Sequence, residues 1–256
     1  MASEHSVNAV PGAPLTTFDG LTLASRVLLT DGEPEGAVVI VHGFTASSAC
    51  PNVEALAARL HDAGLDVVTY DARGHGSSDG ESTLGDDEQH DVAAAVEAAR
   101  RRTDRVVLVG ASMGAIAALR YAVDDSQLTG LVCVSCPAEW RLPRNPHGML
   151  AAAMTRTALG RRALARLAGV RVARQWTNPE PPLALAPRLR APVTFVHGCA
   201  DRFIGVRDAA QLFEAAPEPR HLMVVPDMGH AFGPTAIDAI ERAVAWVFDA
   251  AVSERD

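Results

Sequence analysis

The chain has 256 residues, a length that fits one α/β domain with a modest insertion (residues 1–256 as one unit) better than two independent domains. At 48% hydrophobic and 21% charged it can bury a substantial core, which excludes a disordered chain; its net charge of −8 excludes a general nucleic-acid binder. No apolar run approaches the ~20 residues of a membrane span. Residues 1–14 lack the basic and apolar regions of a signal peptide. A soluble, cytoplasmic protein without stable membrane insertion is expected, as monomer or homodimer.

In chain order, residues 1–14 read as a loose leader. Residues 15–18 and 21–30 read as an antiparallel hairpin turning at Asp19-Gly20, and 31–36 as a turn. Residues 37–41 are continuously apolar, as in a strand buried on both faces. A helix is predicted over 53–63, ended by Gly64, and a strand over 65–70. Residues 86–102 read as a long helix, acidic at its start and basic at its end, which suits the helix dipole. Strands follow at 105–109 and 128–135, with an Ala-rich helical run from Ala115 between them. Cys133 lies in this second strand pattern among Leu131, Val132 and Val134, so Cys133 and Cys136 read as small buried hydrophobes and not as a redox pair. Further on come a strand (192–196), a helix (206–216), a strand (221–225) and a closing helix (235–251). Such alternation predicts a mostly parallel sheet with helices on both faces.

Residues 137–190 interrupt the alternation. They hold seven prolines, and 149–167 has helical spacing. Ten arginines there face only Glu139 and Glu180, a local charge of about +8 in a chain without lysine. An insertion is expected, not a core element.

Gly110-Ala111-Ser112-Met113-Gly114 sits between a predicted strand and a predicted helix. A serine at such a sharp turn projects its hydroxyl above the sheet, and the helix N-terminus behind it supplies N–H groups suited to an oxyanion. A serine hydroxyl needs a base, and the base needs an orienting acceptor. His230, in the loop after the last strand, is the candidate base. Asp201, just past the 192–196 strand, is the candidate acid; Asp227 and Asp208 are weaker competitors. Ser112, Asp201 and His230 all lie beyond carboxyl ends of parallel strands, hence at one sheet edge. Two N–H donors for the oxyanion are expected from Met113 and from Phe44 in His42-Gly43-Phe44. His42 and His75 read as structural.

Together these residues, with Asp71-Ala72-Arg73-Gly74-His75-Gly76-Ser77 and His197-Gly198, resemble the α/β-hydrolase superfamily. The likeness is to the small lidded esterases and lipases of the monoacylglycerol-lipase-like and serine-aminopeptidase-like group. The order Ser, Asp, His is that superfamily's order. The resemblance implies a central sheet of about eight strands and a metal-free, cofactor-free Ser112-Asp201-His230 triad. It also implies a lid at 137–190 and a small-molecule ester or thioester substrate. By composition, the arginines of 137–190 read first as solvated helix faces in a lysine-free chain; alternatively, a basic lid suits an anionic thioester such as an acyl-coenzyme A or an acyl-carrier thioester. Ser112-Met113-Gly114 also occurs in the haloperoxidase and perhydrolase branch, and carbon–carbon bond hydrolases and inert binders share the fold. Phe44, Trp140, Leu142, Met149, Leu150, Met154 and Trp176 are candidates to line an acyl pocket.

Overall fold

The computed structural model describes residues 9–140, 146–175, 177 and 179–253. Strands β1 (Val10–Pro11), β2 (Leu15–Thr16), β3 (Thr22–Leu23) and β4 (Ser25–Leu28) open the chain, followed by β5 (Ala37–Val41), helix α1 (Pro51–Asp62) and β6 (Asp66–Tyr70). Helix α2 (Glu88–Arg100), β7 (Val106–Ala111), α3 (Met113–Ala122) and β8 (Gly130–Val134) come next. Between β8 and β9 (Val193–Gly198) lie α4 (Pro146–Arg156), α5 (Ala158–Leu167) and the short α6 (Pro182–Leu185). Helix α7 (Val206–Ala215), β10 (Arg220–Val225) and α8 (Ile237–Ser253) complete the chain.

Eight strands form one sheet in the order β1-β4-β6-β5-β7-β8-β9-β10, parallel from β6 to β10, with β4 antiparallel to both its neighbours. The alternation of the β-strand divides the apolar runs between two cores. Val38, Ile40, Val107 and Val109 face α1 and α8, whereas Val39, Val41, Val106 and Leu108 face α2 and α3. That two-sided burial is why these runs are continuously apolar. The chain steps from β5 to β6 on one side and to β7 on the other, so the switch in strand order falls between β5 and β7. Loops leaving that point splay apart and open a crevice at the carboxyl edge.

Two expectations need correction. The leader over 1–14 is not loose throughout: Val10–Pro11 pairs with Arg26 and Val27 at the sheet edge, and Gly12 N–H donates to Ser25 O at 2.9 Å. A two-residue edge strand leaves no periodicity to read. The opening hairpin is divided, since β2 and β3 form their own ladder while β4 joins the main sheet. The helical spacing at 149–167 resolves into two helices. Thr157 breaks it, its side chain accepting Gly160 N–H at 3.0 Å as the N-cap of α5. A Cβ on Gly160 would meet Ala153 O at 2.3 Å, so glycine lets α5 fold back onto α4.

Candidate active site

Ser112 is the whole connection between β7 and α3, with φ 52° and ψ −115°. Side-chain-bearing residues rarely adopt this backbone, and it is held here by tight packing. A Cβ on Gly110 would lie 2.6 Å from Gly114 O, and one on Gly114 would lie 2.2 Å from Val41 O. The two glycines of the pentapeptide therefore let the turn close against its own helix and against the end of β5. Ser112 N–H donates to Val134 O at 2.9 Å, tying the turn to β8.

The loop after β5 lies alongside: a Cβ on Gly43 would stand 3.5 Å from Ser112 Cβ. His42 fixes this loop. Its Nδ1 lies 2.9 Å from Gly43 O, and its Nε2 accepts Ala72 N–H at 3.0 Å, which places the ring proton on Nδ1. Burial, helped by the neighbouring His75, lowers the His42 pKa to about 4. His75 is also buried, with Nδ1 3.0 Å from Arg73 O, and its ring meets those of His42 and Phe44 edge-on. Both histidines stand behind the cavity wall.

Asp201 sits in the turn after β9, where its N–H donates to Gly198 O at 3.2 Å. Its carboxylate is fully buried. Oδ1 accepts Phe203 N–H at 2.8 Å and Ile204 N–H at 3.0 Å, and Oδ2 faces His230 Nδ1 at 2.7 Å. Burial alone would push its pKa up. The hydrogen bonds from His230, Ile204 and Phe203 outweigh burial and hold it at about 2, so the group is ionised at neutral pH. His197 braces the turn, its Nε2 donating to Ile204 O at 3.0 Å.

His230 comes from the loop after β10. A Cβ on Gly198 would lie 2.0 Å from Met228 O, so this loop packs directly on the end of β9. The next residue, Ala231, has φ 59°, and its N–H donates to Ser135 Oγ at 3.2 Å. The Phe203 ring stands 5.0 Å from the imidazole. Asp227 is exposed, and His230 turns Nδ1 to Asp201 instead. Asp208 is occupied elsewhere, accepting Ala138 N–H at 2.9 Å.

Ser112, Met113, Phe44 and His230 open on one cavity of about 780 Å³ with predominantly apolar walls. Of the expected pocket residues, Trp140, Leu150 and Met154 line it. Met149 does not: Leu150, Ala151, Met154 and Thr155 form the inner stripe of α4, and Met149 falls outside it, 68% exposed. Leu142 and Trp176 lie outside the described residues.

Sequence reading missed Leu84, Thr45, Leu164 and Phe203, which also line the cavity. Leu84 is carried on a loop pinned by the buried Glu88, which accepts Thr83 N–H at 3.0 Å and Gly85 N–H at 2.8 Å. An acidic residue in a first helical turn gives no hint of that job. The backbone does mark the site. Among the described residues five non-glycine positions have positive φ, and four of them, Thr45, Leu84, Ser112 and Ala231, line this cavity.

Residues 32–179 match the family model described as serine aminopeptidase, S33. Protein YqkD of Bacillus subtilis is 29% identical over 219 residues, 77% of this chain. The match covers 66% of YqkD, just under two thirds of that protein's length. Among solved structures, the Pyrococcus furiosus esterase Pf2001 superposes with a TM-score of 0.69 at 20% identity, covering 98% of this chain and 93% of its own. Est1E from Butyrivibrio proteoclasticus, solved with ferulic acid bound, gives 0.69 at 17% identity, covering 93% and 99%. With an eight-stranded sheet of this order and a family match over more than half its length, the chain belongs to the serine aminopeptidase S33 family of α/β hydrolases.

Proposed function

We propose that this protein is a carboxylic ester hydrolase acting through an acyl-enzyme on Ser112. The observation that carries the reading is the 2.7 Å pair between His230 Nδ1 and the buried Asp201 carboxylate, with His230 and Ser112 on the same cavity. Asp201 keeps the His230 proton on Nδ1, leaving Nε2 as the base. Nε2 takes the Ser112 proton as Oγ attacks the ester carbonyl. The N–H groups of Met113 and Phe44 stabilise the tetrahedral oxyanion. Collapse expels the alcohol, which leaves with the proton from His230. A water then gives its proton to His230, attacks the acyl carbon and releases the acid and free Ser112. Residues 137–190 serve as the lid, whose α4 contributes Leu150 and Met154 to the cavity wall.

The volume lies within the range of small-molecule sites, and its apolar walls favour an acyl group of medium length or an aromatic one. Thioester hydrolysis is a second reading. It is favoured by Arg156, among the described residues the one arginine on the cavity wall, which offers a cation to an anionic leaving group.

A panel of p-nitrophenyl esters of graded chain length, a feruloyl ester, an acyl-coenzyme A and an aminoacyl anilide decides among these. Medium-chain or aromatic esters should turn over fastest, with a fluorophosphonate probe labelling Ser112. Substantial ester hydrolysis by Ser112→Ala would overturn the mechanism. Faster turnover of acyl-coenzyme A than of a matched neutral ester at low salt would transfer the assignment to the thioester.

A further inference from the structure

Helices α4 and α5 turn one side to the cavity and the other to solvent. The inner side is anchored: Leu164 packs with Val170 and Val172, backed by Phe44 and Met154. The segment after α5 is hydrogen-bonded to the body, Ser82 N–H donating to Arg171 O and Arg171 N–H to Gly74 O, both at 2.7 Å. On the outer side, Met149, Leu159 and Leu167 are 68%, 78% and 86% exposed. Arg162 and Arg166 are exposed among them, and among the described residues neither has a carboxylate within ion-pair distance. Leu159, Arg162 and Arg166 follow at i, i+3 and i+7, so they share one face of α5.

Large exposed apolar side chains interspersed with unpaired arginines are the composition of a surface that meets an anionic lipid–water interface. We infer that the outer face of α4 and α5 docks on an anionic bilayer. The charge distribution favours this occupant. Residues 137–190 carry ten arginines and two glutamates, while the remainder carries thirteen arginines and twenty-nine carboxylates, about −16. An anionic surface therefore attracts this segment, of which Arg162 and Arg166 are exposed on α5, and repels the rest, which orients the molecule with its cavity-bearing edge toward the lipid. A second copy is a poor occupant, because a two-fold contact would set this basic patch against itself. A single soluble phosphate ester needs cations that converge, whereas Arg162 and Arg166 lie on the outer face of α5 and, among the described residues, Arg156 is the one arginine lining the cavity. Docking does not depend on the reaction proposed above, so the two are tested separately.

The full chain carrying Ser112→Ala is mixed with sedimenting vesicles of phosphatidylcholine alone, or of equal parts phosphatidylcholine and phosphatidylglycerol. Partitioning onto the mixed vesicles should exceed that onto phosphatidylcholine by on the order of tenfold or more and fall with salt. Arg162→Gln/Arg166→Gln should lower it by roughly tenfold or more, and Leu159→Ser/Leu167→Ser by a comparable factor. In the Ser112 background, Arg162→Gln/Arg166→Gln should leave hydrolysis of a soluble short-chain ester unchanged. The proposal is overturned if the chain stays in the supernatant with both vesicles, or if neither double variant changes partitioning. It is equally overturned if light scattering shows that the leucine variant dissociates a dimer, since a second copy would then own this face.

Discussion

At the carboxyl edge of the sheet, buried charges have fixed partners. Arg73 meets Asp91 and Asp19 at 2.8 Å each, and Asp201 meets His230 at 2.7 Å. On α4 and α5, Arg156, Arg161, Arg162 and Arg166 have no carboxylate partner among the described residues, and Arg161 reaches only the carbonyls of Thr155 and Arg156. The body pairs most of its arginines, Arg26, Arg59, Arg100, Arg102 and Arg220 included. A shared compositional preference for arginine over lysine does not explain that segregation. In the body, arginine charge maintains backbone geometry around the cavity-bearing edge. On α5, Arg162 and Arg166 face outward and are available to something else.

The sharpest break in this comparison concerns rate. Ser112→Ala should cut ester turnover by on the order of 10⁴-fold or more with an unchanged melting temperature, read by steady-state kinetics and calorimetry. Asp201→Asn should cost roughly 10³–10⁴-fold in kcat with little change in KM, because an amide lets the imidazole adopt the wrong tautomer. Equal loss from Asp227→Asn would move the acid role to that exposed residue. Neither of the first two effects should have a counterpart in any arginine of α5.

On stability, Arg73→Gln should be among the most damaging changes. It strands the fully buried Asp91 without its guanidinium, which costs about 3–5 kcal/mol when a buried pair loses one member. Chemical denaturation would measure it.

The pH dependence of stability belongs to the same edge. His42 is neutral in the folded state down to about pH 4, while an unfolded histidine takes its proton near 6.5. The unfolded chain therefore binds more protons between those values. The stability that His42 contributes is complete above about pH 6.5 and is lost as pH falls toward 4, on the order of 3 kcal/mol. Asp201 acts lower, its contribution complete above the ordinary carboxylate value and lost as pH falls toward 2. Denaturation midpoints between pH 7 and 4 should fall for the native chain and less steeply for His42→Gln. Parallel slopes would show that the ring is not the group responsible.

How legible each region is follows from how local its determinants are. The turn at Ser112 was readable because its strand, its two glycines and its helix are contiguous, and the same holds for the loop of Gly43 and Phe44. That Asp201 and His230 meet was readable because loops after parallel strands must emerge at one edge, whatever their distance in sequence. Leu84 was not, since its place depends on Glu88 gathering the N–H groups of a loop. Met149 was misplaced because an apolar residue in a helical run cannot declare which stripe it occupies until the partner helix is known. The break at Thr157 was legible in retrospect from a Thr three residues before a Gly, but only packing of Gly160 on Ala153 makes it a turn and not a surface kink.

The smallest expected effect separates the two regions most cleanly. Arg162 is exposed and makes no ion pair among the described residues, so Arg162→Gln removes charge without stranding a partner. Its cost in stability should stay within about 0.5 kcal/mol, against several for Arg73→Gln. It should instead register as a change in what the surface attracts, a weaker and less salt-sensitive association with anionic vesicles. A destabilisation approaching that of Arg73→Gln would mean that α5 uses its arginines as the body does, to hold structure. The charge on its outer face would then be accounted for without any external surface.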